Sequence, residues 1–368
     1  MRLIVVFAGI TLLALAAVVV PGLLQAGEVA PGSNYTLLSP IRSGNLTVFP
    51  VVANKTFDTG EFITLDEGLR SGDVVVTEAG QARGLIRRPH GRPDVVHPVG
   101  GAEVNRLVLV NNSKRPLLLL AGEIVTGGKQ DRVIAKDRIV PAESDPVDLG
   151  VFCVEPGRWV AANGKYEFSA GRVSGAVFAS PGVRGSAMAA KNQQQVWDNV
   201  GRSKQAMATI VPAPAAAEVN STTSYARGMD NKEVQQKVES VAEPVQRNYE
   251  SVIRQLREKN AVGVVVAVNG EVVWADIFAS TQLLQKYWSK LVRSYATEAV
   301  ITRAKGGEVS TRQAQKFLED LQGRHETADT EPGVYRQTEI TGDGFKVFEL
   351  ISLLPKTGFP VHVAKMAD

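Results

Sequence analysis

Short aliphatic and β-branched runs, broken every few positions by Gly, Pro, Asn or Asp, fill the first half of the chain. Leu46 to Ala53, Phe62 to Leu65, Asp73 to Glu78 and Leu107 to Val110 are such runs, with turn signals at Ser71-Gly72-Asp73, Ala79-Gly80 and Asn111-Asn112-Ser113. This is the pattern of strands in a sandwich or barrel-like lobe, and no helical period interrupts it before about residue 182. Within Pro116 to Trp159 the runs are Leu117 to Leu120, Val133 to Ala135 and Val147 to Val154. A two-residue period puts Val147, Leu149, Val151, Cys153 and Glu155 on one face, so a carboxylate continues a core-facing row to the point where Pro156-Gly157 ends the strand.

After Gly185 the texture changes. Ser186 to Ala208 is rich in Ala, Gln and Lys with scattered apolar anchors, which predicts a helix docking by Trp197 and weakened by Gly201. Val211 to Met229 has no apolar period and reads as an Ala/Pro-rich linker or exposed loop. Val234, Val238, Val241, Val245, Tyr249, Val252 and Leu256 then recur at three- and four-residue steps, a helical stripe with Pro244 inside it. Val262 to Val268 and Val272 to Trp274 flank Asn269-Gly270, the favoured pair for a type I′ hairpin turn. Ser280 is placed to cap a helix with Leu283, Leu284, Tyr287, Trp288, Leu291, Val292 and Tyr295 on one face. Ser310 with Gln313 forms a capping-box pattern for a further helix closed by Gly323, and Phe345 to Leu353 and Val361 to Ala364 return to strand.

The expected fold class is α+β. A β-rich sandwich or barrel-like lobe spans 34–182, a docking helix and Ala/Pro-rich linker 183–229, and a helix-plus-β-hairpin lobe 230–368, docked into one compact unit. Residues 1–26 stand apart from it. Arg2 precedes an apolar run from Leu3 to Val20, broken by Pro21-Gly22, which is the pattern of a signal peptide or, uncleaved, of a membrane anchor. The expected location is therefore periplasmic or extracellular, or tethered through residues 3–20.

Composition narrows the chemistry. The 368 residues are 44% hydrophobic and 21% charged, with a formal charge of +3 and the two signs interspersed. That excludes an electrostatically driven nucleic-acid binder. The local basic run Arg83 to Arg92 lacks interleaved aromatics and reads as a solvated loop. Cys153 is the only cysteine, so the chain has no internal disulfide, and its mid-strand place between Phe152 and Val154 suits a buried structural thiol. Four histidines, at 90, 97, 325 and 362, are too scattered for a His-based zinc site, and no metal or cofactor motif occurs.

Polar residues beyond what a plain sheet needs concentrate in the central stretch. Gly127-Gly128 precedes Lys129, Gln130, Asp131 and Arg132, and Glu155, Arg158 and Trp159 follow in the same β unit. Arg132 offers a planar fork suited to carboxylate or phosphate, and Asp131 is placed to orient it. The competing reading is a turn with a surface Asp-Arg pair. Glu67 paired with Glu123 or Glu155 would suit acid/base hydrolysis if they meet, and Asp66, Glu67, Glu123 and Asp131 are oxygen ligands of the kind Ca²⁺ or Mg²⁺ takes, without an EF-hand-like spacing. Trp159 is either a stacking platform or the plug at the end of a sandwich.

Several motifs in order then resemble one family: Leu65-Asp66-Glu67-Gly68-Leu69, Gly122-Glu123 followed by GGKQDR, Cys153-Val154-Glu155 with GRW, Gln194-Gln195-Val196-Trp197, and the Val-Asn-Gly hairpin running into Asp276-Ile277-Phe278. From about residue 45 to its end the chain resembles the domain family associated with ADP-ribosylglycohydrolases and with the rhodanese/phosphatase superfamily, a family of unknown function. The resemblance implies a nucleotide- or ADP-ribose-related ligand, with Arg132, Arg158 and Trp159 as phosphate and base contacts. The leading expectation is an exported ligand-binding or interaction domain without catalysis, taking a small anionic molecule or a protein partner at Glu67, Glu123, Lys129, Gln130, Asp131, Arg132, Glu155, Arg158 and Trp159. The alternatives are a hydrolase acting through Glu67, Glu123 and Glu155, and a purely structural domain.

Overall fold

The structure, a computed structural model, describes residues 35–79, 81, 104–160, 168–169, 177–256, 259–355 and 358–368. The expected export signal or anchor and the basic run 83–92 lie outside the described residues. No helix among the described residues is long and apolar enough to cross a membrane.

Strands β1 (Tyr35–Leu37), β2 (Ile41–Ser43) and β3 (Leu46–Ala53) come first, then β4 (Ile63–Thr64), a short helix α1 (Leu65–Ser71) and β5 (Val74–Glu78). The strand pattern hides α1, whose capping box is built by Thr64 and Glu67. β6 (Arg106–Asn111), β7 (Leu117–Leu119), β8 (Ile124–Gly127), β9 (Arg132–Ile134), β10 (Arg138–Val140), β11 (Val147–Cys153) and β12 (Phe168–Ser169) complete the β-rich part. As the two-residue period predicts, Leu149, Val151, Cys153 and Glu155 are buried.

Helices follow: α2 (Pro181–Gly185), a π-helical turn Ser186–Ala190, α3 (Gln193–Thr209), α4 (Ala213–Ser221), α5 (Tyr225–Met229) and α6 (Lys232–Gln255). The docking residues of α3 are Val196, Val200, Ser203 and Met207, while Trp197 is half-buried. Where the sequence suggests a linker over Val211 to Met229, the chain forms two short helices, Ala213–Ser221 and Tyr225–Met229. Its local signals are an alanine run and a Ser224 cap on Arg227 N, and burial of Tyr225 and Val219 fixes it; an amphipathic period is not needed when two residues anchor so short a segment. Pro244 does not break α6. The carbonyl it leaves without an N–H partner belongs to Ser240 on the exposed side of the helix.

The remainder is β13 (Asn260–Val268), β14 (Glu271–Phe278), α7 (Thr281–Ile301), α8 (Thr311–Glu319), β15 (Gly323–Glu331), β16 (Tyr335–Gly342), β17 (Phe345–Ser352) and β18 (Pro360–Ala367). Asn269 and Gly270 both take positive φ, 55° and 81°, as a type I′ turn requires. Ser280 caps α7 and Ser310 with Gln313 caps α8 in a full capping box. The β15–β16 hairpin has no counterpart in the sequence reading, because the largely polar strand Gly323–Glu331 shows no apolar alternation.

The protein is thus α+β, with a sheet ordered β1-β3-β13-β14-β18-β17-β16-β15 and β2 attached to β3. This sheet crosses the residue-182 boundary, since β3 pairs with β13 along its whole length, Phe49 opposite Val265 and Leu46 opposite Val268. Both strands are apolar apart from Thr47 and Asn260 and almost wholly buried, and so need neighbours on both edges and cover on both faces. Val264 and Val266 face a core shared with α3, α6 and α7, whereas Val265 and Ala267 face a smaller one closed by Ala314 and Leu318 of α8. The β-rich part has its own core around Leu65, Val76, Leu109, Leu119 and Val151.

Candidate functional site

The residues singled out around Gly127-Gly128 do converge. Gly127 and Gly128 have φ of 128° and 46°, and a Cβ on Gly128 would lie 2.2 Å from Phe168 Cζ, so the turn between β8 and β9 excludes a side chain there. Asp131 Oδ1 accepts from Gly127 N at 3.1 Å and Oδ2 from the Ser224 hydroxyl at 2.5 Å. Glu155 Oε2 accepts from Asp131 N at 3.0 Å and from Arg158 Nη2 at 2.6 Å. Arg158 also donates to the carbonyls of Gly127, Gly128 and Val160. Gln130 donates to the Glu155 carbonyl, Arg132 Nε to Val104 O, and the Lys129 N–H to Glu78.

These partners are internal. The cluster is a knot that ties the β8–β9 turn to the end of β11 and, through Ser224, to α5. Burial pushes the Asp131 carboxyl up, and the Glu155 charge adds to it against the Ser224 hydrogen bond. Burial opposes the Arg158 charge, but Glu155 outweighs it and the guanidinium holds its proton more tightly than usual. Burial lowers the affinity of Arg132 for its proton. Trp159 is the open part, 41% exposed, with Lys129 Nζ 4.8 Å from its ring centre. Cys153 is buried and burial raises its thiol pKa, which leaves it a poor nucleophile.

Glu67 and Glu123 belong to a second network. Glu67 closes the α1 capping box and pairs with Lys286 at 2.9 Å; burial would raise its pKa, but the Lys286 hydrogen bond and the Thr64 N–H bring it below the usual value. Glu123 is 0% exposed, accepts from Leu120 N at 2.7 Å and pairs with Lys290, which also reaches Asp66 at 3.1 Å. One ammonium serves two carboxylates. Burial raises the Glu123 pKa, with Lys290 opposing and Asp66 adding. Burial lowers that of Lys290, but the two carboxylates overcome it and hold its proton. The two shifts share a direction but not a cause, burial leading for Glu123 and the two carboxylates for Lys290.

The sequence reading missed Lys286 and Lys290. Lys286, Ser289, Lys290, Arg293 and Thr297 recur at helical steps on α7, a polar stripe on a helix otherwise buried through its aromatic and aliphatic face. Lys290, set between Tyr287 and Leu291, was the available signal. The stripe forms one wall of a cleft of about 490 Å³, with Asp66 and Arg70 of α1 opposite and Glu239 and Glu243 of α6 alongside. Arg293 is engaged by Glu239 at 2.5 Å. Asp66 Oδ1 is buried without a hydrogen-bond partner among the described residues.

A third network was missed because its members are far apart in sequence. His362 lies wholly inside, Nδ1 2.5 Å from Asp137 and Nε2 3.1 Å from Asp276. Asp276 is also bonded by Arg184 Nη1 at 2.8 Å and by the Tyr295 hydroxyl. Burial opposes the charge on His362, yet Asp137 and Asp276 raise its pKa. Asp276, against its own burial, is held far below the usual carboxylate range by Arg184 and His362. Among the described residues no group of three or more His, Cys, Asp or Glu side chains is arranged to hold a metal ion.

The structure therefore assigns Gln130, Asp131, Arg132, Glu155 and Arg158 to one knot and Glu67 and Glu123, with Asp66, to the cleft network. A model of the family described as "ARG and Rhodanese-Phosphatase-superfamily-associated Protein domain" matches residues 34–365. No curated protein and no solved structure matches the chain.

Proposed function

The chain belongs to the ARG and Rhodanese-Phosphatase-superfamily-associated Protein domain family, a family of unknown function, and we propose that it is a binding module whose ligand occupies the cleft between α1, α6 and α7. The cleft carries this reading. Its volume of about 490 Å³ falls in the range of small-molecule sites, and its walls combine apolar surface with convergent charged groups. Arg70 is a lining cation whose Nε donates to the Asp66 carbonyl and which has no carboxylate partner among the described residues, and Asp66, Glu239 and Glu243 supply acceptors. That combination suits a ligand with an anionic group for the guanidinium and hydroxyls for the carboxylates. ADP-ribose-like nucleotides are the first class to try. The GGKQDR knot, whose hydrogen bonds are largely internal, holds the surrounding β-turns, and the proposal places the ligand in the cleft instead.

A thermal-shift screen of nucleotides, ADP-ribose, sugars and phosphate tests this reading. A ligand at a hundredfold excess over its dissociation constant adds about 2.7 kcal/mol to the native state. Arg70→Ala and Glu243→Gln, both at exposed positions, should abolish the response while leaving the free protein's midpoint in place. Silence across the panel would defeat the proposal.

A second reading has one observation in its favour. Asp66 and Glu123 share Lys290 in unlike environments, Glu123 wholly buried with a raised pKa and Asp66 at the cleft wall. A buried carboxyl held toward its protonated form beside a second carboxylate is a proton donor of the kind acid/base hydrolysis requires. That reading predicts turnover of a bound phosphate or glycosidic compound, lost in Asp66→Asn at unchanged ligand affinity. The apolar run Leu3 to Val20 supports an exported or tethered location, and fractionation of cells carrying the full chain tests it.

A further inference from the structure

One face of α2 and of the π-helical turn after it carries almost no side chain. Gly182, Gly185 and Ala189 on this face line a cavity of about 350 Å³, together with Trp274, Met366 and Glu298. Gly185 has a φ of −59°, and Gly182 is not in the left-handed region either, so neither backbone position demands a glycine. What the two glycines provide is bare surface. A Cβ on Gly182 would lie 3.4 Å from Glu298 Oε2, and one on Gly185 would lie 3.8 Å from Trp274 Cζ3. Residues three apart on a helix are neighbours on one face, so the carboxylate and the indole border the same strip. The π-helical turn Ser186–Ala190 extends that strip, and natural helices keep such turns mostly at functional places.

Two polar groups in these walls are incompletely matched. Glu298 Oε2 accepts from Gly182 N at 3.0 Å, and among the described residues no cation pairs with the carboxylate. The cations nearby are committed elsewhere, Arg184 to Asp276 and Arg202 to the Asn199 side chain. Trp274 is 1% exposed, and its Nε1 meets no acceptor among the described residues. A buried donor left unmade carries the desolvation penalty of the group, which an incoming acceptor removes. We propose that this cavity binds a small organic ammonium that also bears an uncharged oxygen, an amino alcohol being the simplest case. The ammonium pairs with Glu298, the oxygen accepts from Trp274 Nε1, and the carbon chain lies along the glycine strip and Met366. Charge sets the sign of the ligand. Arg184 and His362 offset Asp276 and Asp137, which leaves Glu298 as the surplus charge, and a cation completes it through a charge-assisted hydrogen bond.

The test is the thermal midpoint of the full chain near neutral pH against aminobutanol, butylammonium and butanol at equal ionic strength. Aminobutanol should raise the midpoint along a saturating curve. Butylammonium, which lacks the oxygen, should bind about tenfold more weakly, a difference of about 1.4 kcal/mol, and butanol, which lacks the charge, should be flat. Glu298→Gln keeps an oxygen for Gly182 N, so the free protein's midpoint should hold while the aminobutanol affinity falls about tenfold or more. Gly182→Ala places its Cβ at an ordinary contact distance from the carboxylate; it should fold and weaken the response by filling the strip, which keeps the proposal testable if Glu298→Gln does not fold. No response to aminobutanol, a response to butanol equal to it, or an aminobutanol response unchanged in both variants would leave Glu298 as a cap of α2 alone and overturn the proposal.

Discussion

Lys290→Met removes the ammonium from its two carboxylates while keeping the stem of the side chain. The side chain of Lys290 is 7% exposed and that of Glu123 0%, so solvent screens the pair little; Asp66, at 14%, stays partly wet. Two unit charges about 4 Å apart interact by roughly 4 kcal/mol at an effective dielectric constant near 20. Removing one partner of a buried pair strands the other, at about 3–5 kcal/mol. The expected loss in chemical denaturation is therefore about 3–5 kcal/mol near neutral pH. It should depend on pH in a defined direction. Glu123 already has a raised pKa in the folded chain, and without Lys290 it rises further. Its favourable contribution is present below the unfolded value of 4.5 and is lost as pH climbs through the folded one. The deficit of Lys290→Met should accordingly shrink toward pH 4 and widen above it. The second substitution Glu123→Gln should restore most of the loss. A deficit below about 1 kcal/mol, or one that Glu123→Gln leaves untouched, would refute a desolvated triad.

Other substitutions probe the remaining networks. His362 has a raised folded pKa, so its stabilising protonation is complete below 6.5 and disappears as pH rises through the folded value; urea titrations should show that alkaline decline in the wild type and its absence in His362→Gln. Arg158→Ala should cost about 2–4 kcal/mol by leaving Glu155 buried and unpaired, without changing any ligand response of the cleft, which calorimetry of the variant checks. Gly270→Ala should cost about 1–3 kcal/mol, because its φ is 81° and a Cβ would come within 2.7 Å of Gly307 Cα; an unchanged melting midpoint would contradict the tight packing of that turn.

Local signals in the sequence located most elements. The Asn-Gly turn, the Ser280 and Ser310 caps and the stripe of α6 are each decided by residues within a few positions of one another, and each is present in the structure. The polar knot was legible for the same reason: Asp131, Glu155 and Arg158 sit at the ends of adjacent strands. What local pattern could not show is which way those groups are bonded. Asp131 and Glu155 look equally suited to a ligand and to backbone amides, and tertiary packing chose the amides. The β15–β16 hairpin was illegible because its polar strand pairs at a sheet edge, and α4–α5 because a buried tyrosine replaces a periodic face. Lys290 with Glu123 and His362 with Asp137 are separated by more than 150 residues. A charged residue inside an apolar run, such as Lys290 on α7, Asp276 on β14 or His362 on β18, is the signal that long-range pairing leaves behind.

Hydrogen exchange of the full chain, with and without the strongest ligand from the nucleotide and anion screen, tests the placement of the site most directly. A cleft ligand should slow exchange in α1, α6 and α7 and leave the β8–β9 turn and the end of β11 unchanged. Protection centred on Gly127 to Trp159, with α6 and α7 unaffected, would put the ligand on the knot and contradict the cleft.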